Sequence, residues 1–244
     1  MSLSPRAATA LAFAALALNA CSSSPDAQPE PASQEAAAGV REAGADGAVG
    51  ADADAGTDVD SGATRADGAT APAAFVDARD GKSYATFTAG GHTWLARNLD
   101  HETAGSSCYG GDPQSCAAHG RLYTWTAAQT ACPAGTHLGS DDDWKSLETA
   151  LGMPAADLDR EGYSTARGSR EGESLKDAAG FGATMAGFGT GAGYDALGDR
   201  TYFWTSSTRA GEVWRRRVAA ATPTVFRFTN PPSTFAISVR CVLD

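Results

Sequence analysis

Cysteine comes first among the side chains whose types and spacing could do chemistry in this 244-residue sequence. Cys21 closes an apolar run, while Cys108, Cys116, Cys132 and Cys241 are spread through aromatic-rich sequence. No Cys-x-x-Cys or clustered histidine supports zinc, so the four read as disulfide partners. His92, His101, His119 and His137 are scattered, and no Gly-x-Ser-x-Gly, His-Glu-x-x-His or phosphate-binding loop occurs. Two acidic runs invite a metal. Asp52, Asp54, Asp58 and Asp60 lack the ligand order and the closing glutamate of a calcium loop. Asp141, Asp142 and Asp143 fit a helix start, where the dipole favours negative charge. No metal or cofactor is implied.

The elements that carry these residues begin with an export leader. Arg6 precedes an apolar stretch from Ala7 to Ala20 that fits a signal peptide and is too short to span a bilayer. The ending Leu18-Asn19-Ala20-Cys21 resembles the bacterial lipobox. That resemblance implies cleavage after residue 20, diacylglycerol on Cys21, and a membrane partner reached through several acyl chains. Ser22, rather than Asp, follows the cysteine, so the expected address is the cell envelope and its outer membrane.

Residues 21–74 carry ten acidic residues and two arginines, a net of −8, with no aromatic residue. Such a segment cannot bury enough apolar surface to offset its chain entropy, and it is expected to be a disordered tether. Residues 75–244 hold all five tryptophans and a net charge of only −3. A near-neutral domain gives no electrostatic case for nucleic acid.

Within that domain, Gly90-Gly91 links two alternating stretches into a hairpin. Leu122 to Ala131 has helical composition. Ser140 and Asp143 have capping-box spacing, Trp144, Leu147 and Leu151 recur at helical period, and Gly152 stops the helix. Met153 to Arg200 is glycine-rich and is expected to form long irregular loops. Strands resume at Tyr202–Trp204, Val213–Trp214, Val225–Phe228 and Phe235–Val242. The class is α+β, with small antiparallel sheets, two helices, and termini paired in one sheet. Trp214-Arg215-Arg216-Arg217 reads as a contact patch or as a basic strand edge that blocks aggregation.

Four cysteines allow three pairings. The turn Gly110-Gly111-Asp112-Pro113 favours Cys108 with Cys116, which leaves Cys132 for Cys241.

Several segments follow in a recognisable order: Asp80-Gly81-Lys82-x-Tyr84, Trp94-Leu95-Ala96-Arg97-Asn98-Leu99, Gly120-Arg121-Leu122-Tyr123-Thr124-Trp125, Ala131-Cys132-Pro133-x-Gly135-x-His137-Leu138, Asp143-Trp144, Phe203-Trp204-Thr205-Ser206-Ser207 and Ser238-Val239-Arg240-Cys241-Val242. Together they resemble the Fibrobacter succinogenes major paralogous domain, with Thr136 and Gly139 departing from its usual Trp and Pro. The Gly-x-His-Leu segment before a Trp-bearing helix is similar to the C-type-lectin-like fold of formylglycine-generating enzymes. This likeness implies a ligand surface in the long loops, with Tyr163, Tyr194 and Asp195 as contacts for a surface glycan or an envelope protein. It gives His137 a structural place. A non-catalytic binding module is expected. The alternatives are an oxidoreductase of the formylglycine-generating kind, which needs free thiols, and a passive envelope protein.

Overall fold

The structure is a computed structural model describing residues 74–163, 165–232 and 235–244. Residues 1–20, the expected lipidation site Cys21 and nearly all of the expected tether, residues 21–74, lie outside the described residues. Among the described residues no helix is long and apolar enough to cross a membrane.

The described residues open with β1 (Ala74–Val76), β2 (Ser83–Ala89), β3 (His92–Leu95) and β4 (Ser106–Ser107). Next come α1 (Pro113–His119), β5 (Leu122–Thr124), α2 (Trp125–Ala131), β6 (Thr136–Leu138), α3 (Asp141–Ala150) and α4 (Glu171–Lys176). The C-terminal third is β7 (Ala186–Thr190), β8 (Gly193–Leu197), β9 (Arg200–Arg209), β10 (Glu212–Ala219), β11 (Val225–Asn230), β12 (Phe235–Ser238) and β13 (Cys241–Leu243).

These form an α+β domain with two sheets. The first has five strands in the order β1-β2-β3-β13-β6, so the terminal strand closes onto the opening hairpin through Val242 and Trp94. The second has eight, running β11-β10-β9-β7-β12-β5-β4, with β8 on β7. It is larger than expected and includes parallel pairings of β9 with β7 and β12.

Local chemistry explains several elements. Gly90 and Gly91 both have positive φ, as a tight hairpin turn requires. At Gly90 a Cβ would also lie 2.3 Å from the Ser146 carbonyl, so α3 packs directly on the turn. Ser140 and Asp143 exchange the two bonds of a capping box at the start of α3. Trp94, Trp144, Phe181 and Phe203 cluster between the sheets and α3 with centroids 5.2–5.9 Å apart, edge to face except for the tilted Trp144–Phe203 pair.

The sequence reading needs three corrections. There are four α-helices among the described residues rather than two. Asp112 and Pro113 cap α1 where only a turn was expected, because the aspartate accepts from Gln114 and proline suits the first helical position. Met153–Arg200 is not one irregular loop: it contains α4 and the β7–β8 hairpin, whose glycine content hides the alternation.

Candidate ligand face on the larger sheet

The residues that carry the family likeness are mostly buried, and several are tied into the frame by hydrogen bonds. Arg240 has no solvent exposure and donates to Asn98 Oδ1, to the Leu95 and Gly182 carbonyls, and to Phe181 O. Trp204 Nε1 donates to the Tyr123 carbonyl at 2.7 Å, and Tyr123 Oη to the His101 carbonyl at 2.6 Å. The disulfides Cys108–Cys116 and Cys132–Cys241 brace the frame, the second joining the end of α2 to β13. His137 lies between Asp143 and Asp244, beside the capping box of α3.

On the helix side of the larger sheet, antiparallel register places Phe203, Arg216 and Arg227 in one row across β9, β10 and β11. Arg216 donates to Glu148 at 2.6 Å and to Asp141 at 2.7 Å. Arg227 holds both oxygens of Asp141, and Arg167 holds Glu148 at 2.5 Å. Burial opposes the charge on Asp141, but these guanidiniums override it and keep the carboxyl below the ordinary range. Desolvation acts to lower Arg216, but Glu148 and Asp141 outweigh it and raise the guanidinium above its ordinary range. The acidic start of α3 therefore does two jobs: Asp143 caps the helix and Asp141 anchors it to the sheet.

The next residues along each strand point to the other face. There the register makes two rows, Tyr202–Arg217–Phe226 and Trp204–Arg215–Phe228, each a ring, a guanidinium and a ring. Arg215 sits 4.3 Å from the Phe235 centroid and 5.0 Å from that of Phe228, with Tyr202 and Trp204 within 5.7 Å. Phe188 extends the rings, edge to face with Tyr202 at 5.4 Å. Tyr163 rests on Phe228 and Phe226 with centroids 5.0 and 5.9 Å away, yet it is 62% exposed. Arg217 lies over Tyr163 at 5.3 Å.

This face is electrostatically incomplete. Among the described residues neither Arg215 nor Arg217 forms an ion pair, and both Nε atoms are buried without a hydrogen-bond partner. Among the described residues Arg215 donates only to Asn230 Oδ1, and burial pushes its guanidinium down to about 10. Glu212 acts on it at longer range while its own carboxylate accepts from Thr229. The rings supply the remaining stabilisation through their negative faces.

The basic run Trp214–Arg217 is therefore not a sheet edge. β10 is flanked by β9 and β11, and alternation sends Arg216 into the ion network and Arg215 among the rings. Only Arg217 is partly accessible. Spacing could have revealed these rows, since Tyr202/Trp204, Arg215/Arg217 and Phe226/Phe228 are all i, i+2 pairs.

The three expected ligand contacts do not converge. Tyr163 stands on β11's rings. Tyr194 and Asp195 lie on β8, an edge strand rather than a loop, and β7, β9 and β10 intervene. Tyr194 packs against Tyr109 at 5.2 Å, and Asp195 accepts from the Ala196 backbone N–H. Asp77, Asp80 and His101 each offer a ligand atom within 4.8 Å of the others. The Asp77 carboxylate, however, is already held by Arg79 at 2.9 and 2.7 Å, and Asp80 accepts from or pairs with His101 at 3.0 Å. A cation there would have to displace a guanidinium.

The fold and this face define a disulfide-braced α+β domain in which buried rings and Arg215 of the larger sheet underlie an exposed Tyr163 and a partly accessible Arg217. The chain belongs to the Fibrobacter succinogenes major domain family, whose family model matches residues 76–243. No curated protein and no solved structure matches the chain.

Proposed function

We propose that the protein is a surface-anchored lipoprotein whose domain is a non-catalytic binding module for glycan. The observation that carries this reading is Tyr163: an exposed ring held in place by Phe226 and Phe228, beside a partly accessible arginine. A ring fixed before binding loses little conformational freedom when a sugar stacks on it. The pairing of Cys108, Cys116, Cys132 and Cys241 leaves no free thiol among them for an oxidative mechanism, which supports binding over catalysis. The lipobox-like ending at Cys21, with residues 21–74 as a disordered tether to the outer membrane, supports the surface placement. A C-type-lectin-like arrangement is supported by the terminal strand on the opening hairpin and by the helix-to-last-strand disulfide.

Two measurements test this. A glycan array probed with the full chain in detergent should show selective retention that Tyr163→Ala reduces at least tenfold. Growth with a palmitate analogue should label the wild type and not Cys21→Ser. An array without signal removes the glycan reading, and an unlabelled wild type removes the anchor.

A further inference from the structure

We infer that the ring–arginine rows of the larger sheet form a subsite for an acidic saccharide of the uronate type, with Arg217 on its carboxylate and Tyr163 under its sugar ring. This rests on the glycan reading above and adds charge selectivity to it.

The argument is one of complementarity. Two guanidiniums lie side by side on β10 without a carboxylate partner among the described residues, although the domain has a net charge of −3 and every arginine on the opposite face is paired. Arg215 is 3% exposed, too deep to touch a ligand, so its contribution is an unscreened positive field beneath the rings. Arg217 is half-buried and reachable, and its planar fork suits a carboxylate held in two-point contact. A ring-free acidic peptide such as polyglutamate would satisfy the charge but has no ring to stack on Tyr163. A neutral sugar would use Tyr163 but leave the arginines unmatched. A uronate uses both.

The test compares polygalacturonate and alginate with fully methyl-esterified polygalacturonate, which keeps the sugar backbone and removes the charge, and with polyglutamate, which keeps the charge and removes the sugar. The full chain in detergent is titrated by calorimetry in low salt. The uronate polymers should bind at least tenfold tighter than the ester and than polyglutamate. Arg217→Gln should abolish that preference, Arg217→Lys should retain part of it, and Tyr163→Ala should weaken uronate and ester alike. Circular dichroism of each variant separates loss of binding from loss of fold, and the lysine variant keeps the test alive if the glutamine variant is unfolded. Equal binding of uronate and ester, weakened by Tyr163→Ala, overturns the charge assignment and leaves the glycan reading standing. Polyglutamate binding as well as the uronates overturns the inference in favour of an acidic protein segment. No binding of any of the four overturns the inference as well, and the glycan array then decides the wider reading by itself.

Discussion

Arg240 donates from Nε to the side-chain oxygen of Asn98 at 2.9 Å, closing a contact between residues 142 positions apart. Asn98 in turn donates to the His119 carbonyl at 2.7 Å and to Ser238 Oγ at 3.2 Å. Among the described residues no carboxylate meets Arg240, and burial holds its guanidinium well below the ordinary arginine range. The opening hairpin, the α1 loop and the last strands are thus joined through one neutral amide. Asn98→Ala leaves a buried N–H of Arg240 and the His119 carbonyl unmet, at a cost of about 3 kcal/mol. Urea unfolding should show that loss, and a change under 1 kcal/mol would remove this hub from the account.

The ion network on the helix side is expected to respond sharply to losing one member. Glu148→Gln leaves Arg216 and Arg167 short of a counter-charge in a dry site, a change worth roughly 3–5 kcal/mol. Asp142→Asn, one position from the network and 92% exposed at its side chain, should move stability by less than about 0.5 kcal/mol. Denaturant midpoints of the two variants make the comparison.

Acid should weaken the fold from this same helix start. For Asp141 and Asp143 desolvation acts first and raises the carboxyl. Arg227 and Arg216 outweigh it at Asp141, and Ser140 and His137 do so at Asp143, so both end lowered in the folded state. A carboxyl with a depressed folded value contributes stability that is complete above the unfolded value, about 3.9, and is lost as pH falls through the folded one. Melting temperature should therefore be insensitive to these two groups between pH 5 and 7 (a window set by the unfolded value of about 3.9) and drop below about pH 4. Asp141→Asn should lower stability at neutral pH and flatten the acid limb. An unchanged limb would mean that other carboxylates govern acid unfolding.

Arg215 should behave unlike Arg216, its neighbour in sequence. Removing Arg216 strips a partner from two buried carboxylates, costing about 3 kcal/mol or more. Removing Arg215 relieves an unpaired buried charge and forfeits only its ring contacts and the Asn230 bond. Arg215→Met should therefore lie within about 1 kcal/mol of wild type, or be more stable. Thermal melts of the two variants at pH 7 decide it; equal destabilisation would show that Arg215 is structural and weaken the case for an anion-receptive face.

The two disulfides should contribute unequally. Cys132–Cys241 closes 109 residues and Cys108–Cys116 only 8. Chain entropy assigns them about 4.7 and 2.5 kcal/mol. The Cys132→Ala/Cys241→Ala double variant should lose more stability in urea than Cys108→Ala/Cys116→Ala. The reverse order would place the larger effect in local packing around α1.

Local features were legible in the sequence by themselves. Composition separated a charged, ring-free segment from a tryptophan-rich one, and only the latter supplies the large apolar groups that the core of the described residues uses. The Gly90-Gly91 hairpin, the Ser140–Asp143 cap and the Cys108–Cys116 loop depend on residues a few positions apart, whose spacing determines their geometry. The motif order supplied the family. What only the tertiary structure decided was where the three consecutive arginines of β10 went. Alternation sent Arg216 and its neighbours to opposite faces, but which face was charged and which aromatic depended on Asp141, Glu148 and Tyr163, some 50 to 75 residues earlier. Those pairings are set by strand order and by α3 docking on one side of the sheet, and neither is encoded in any local window.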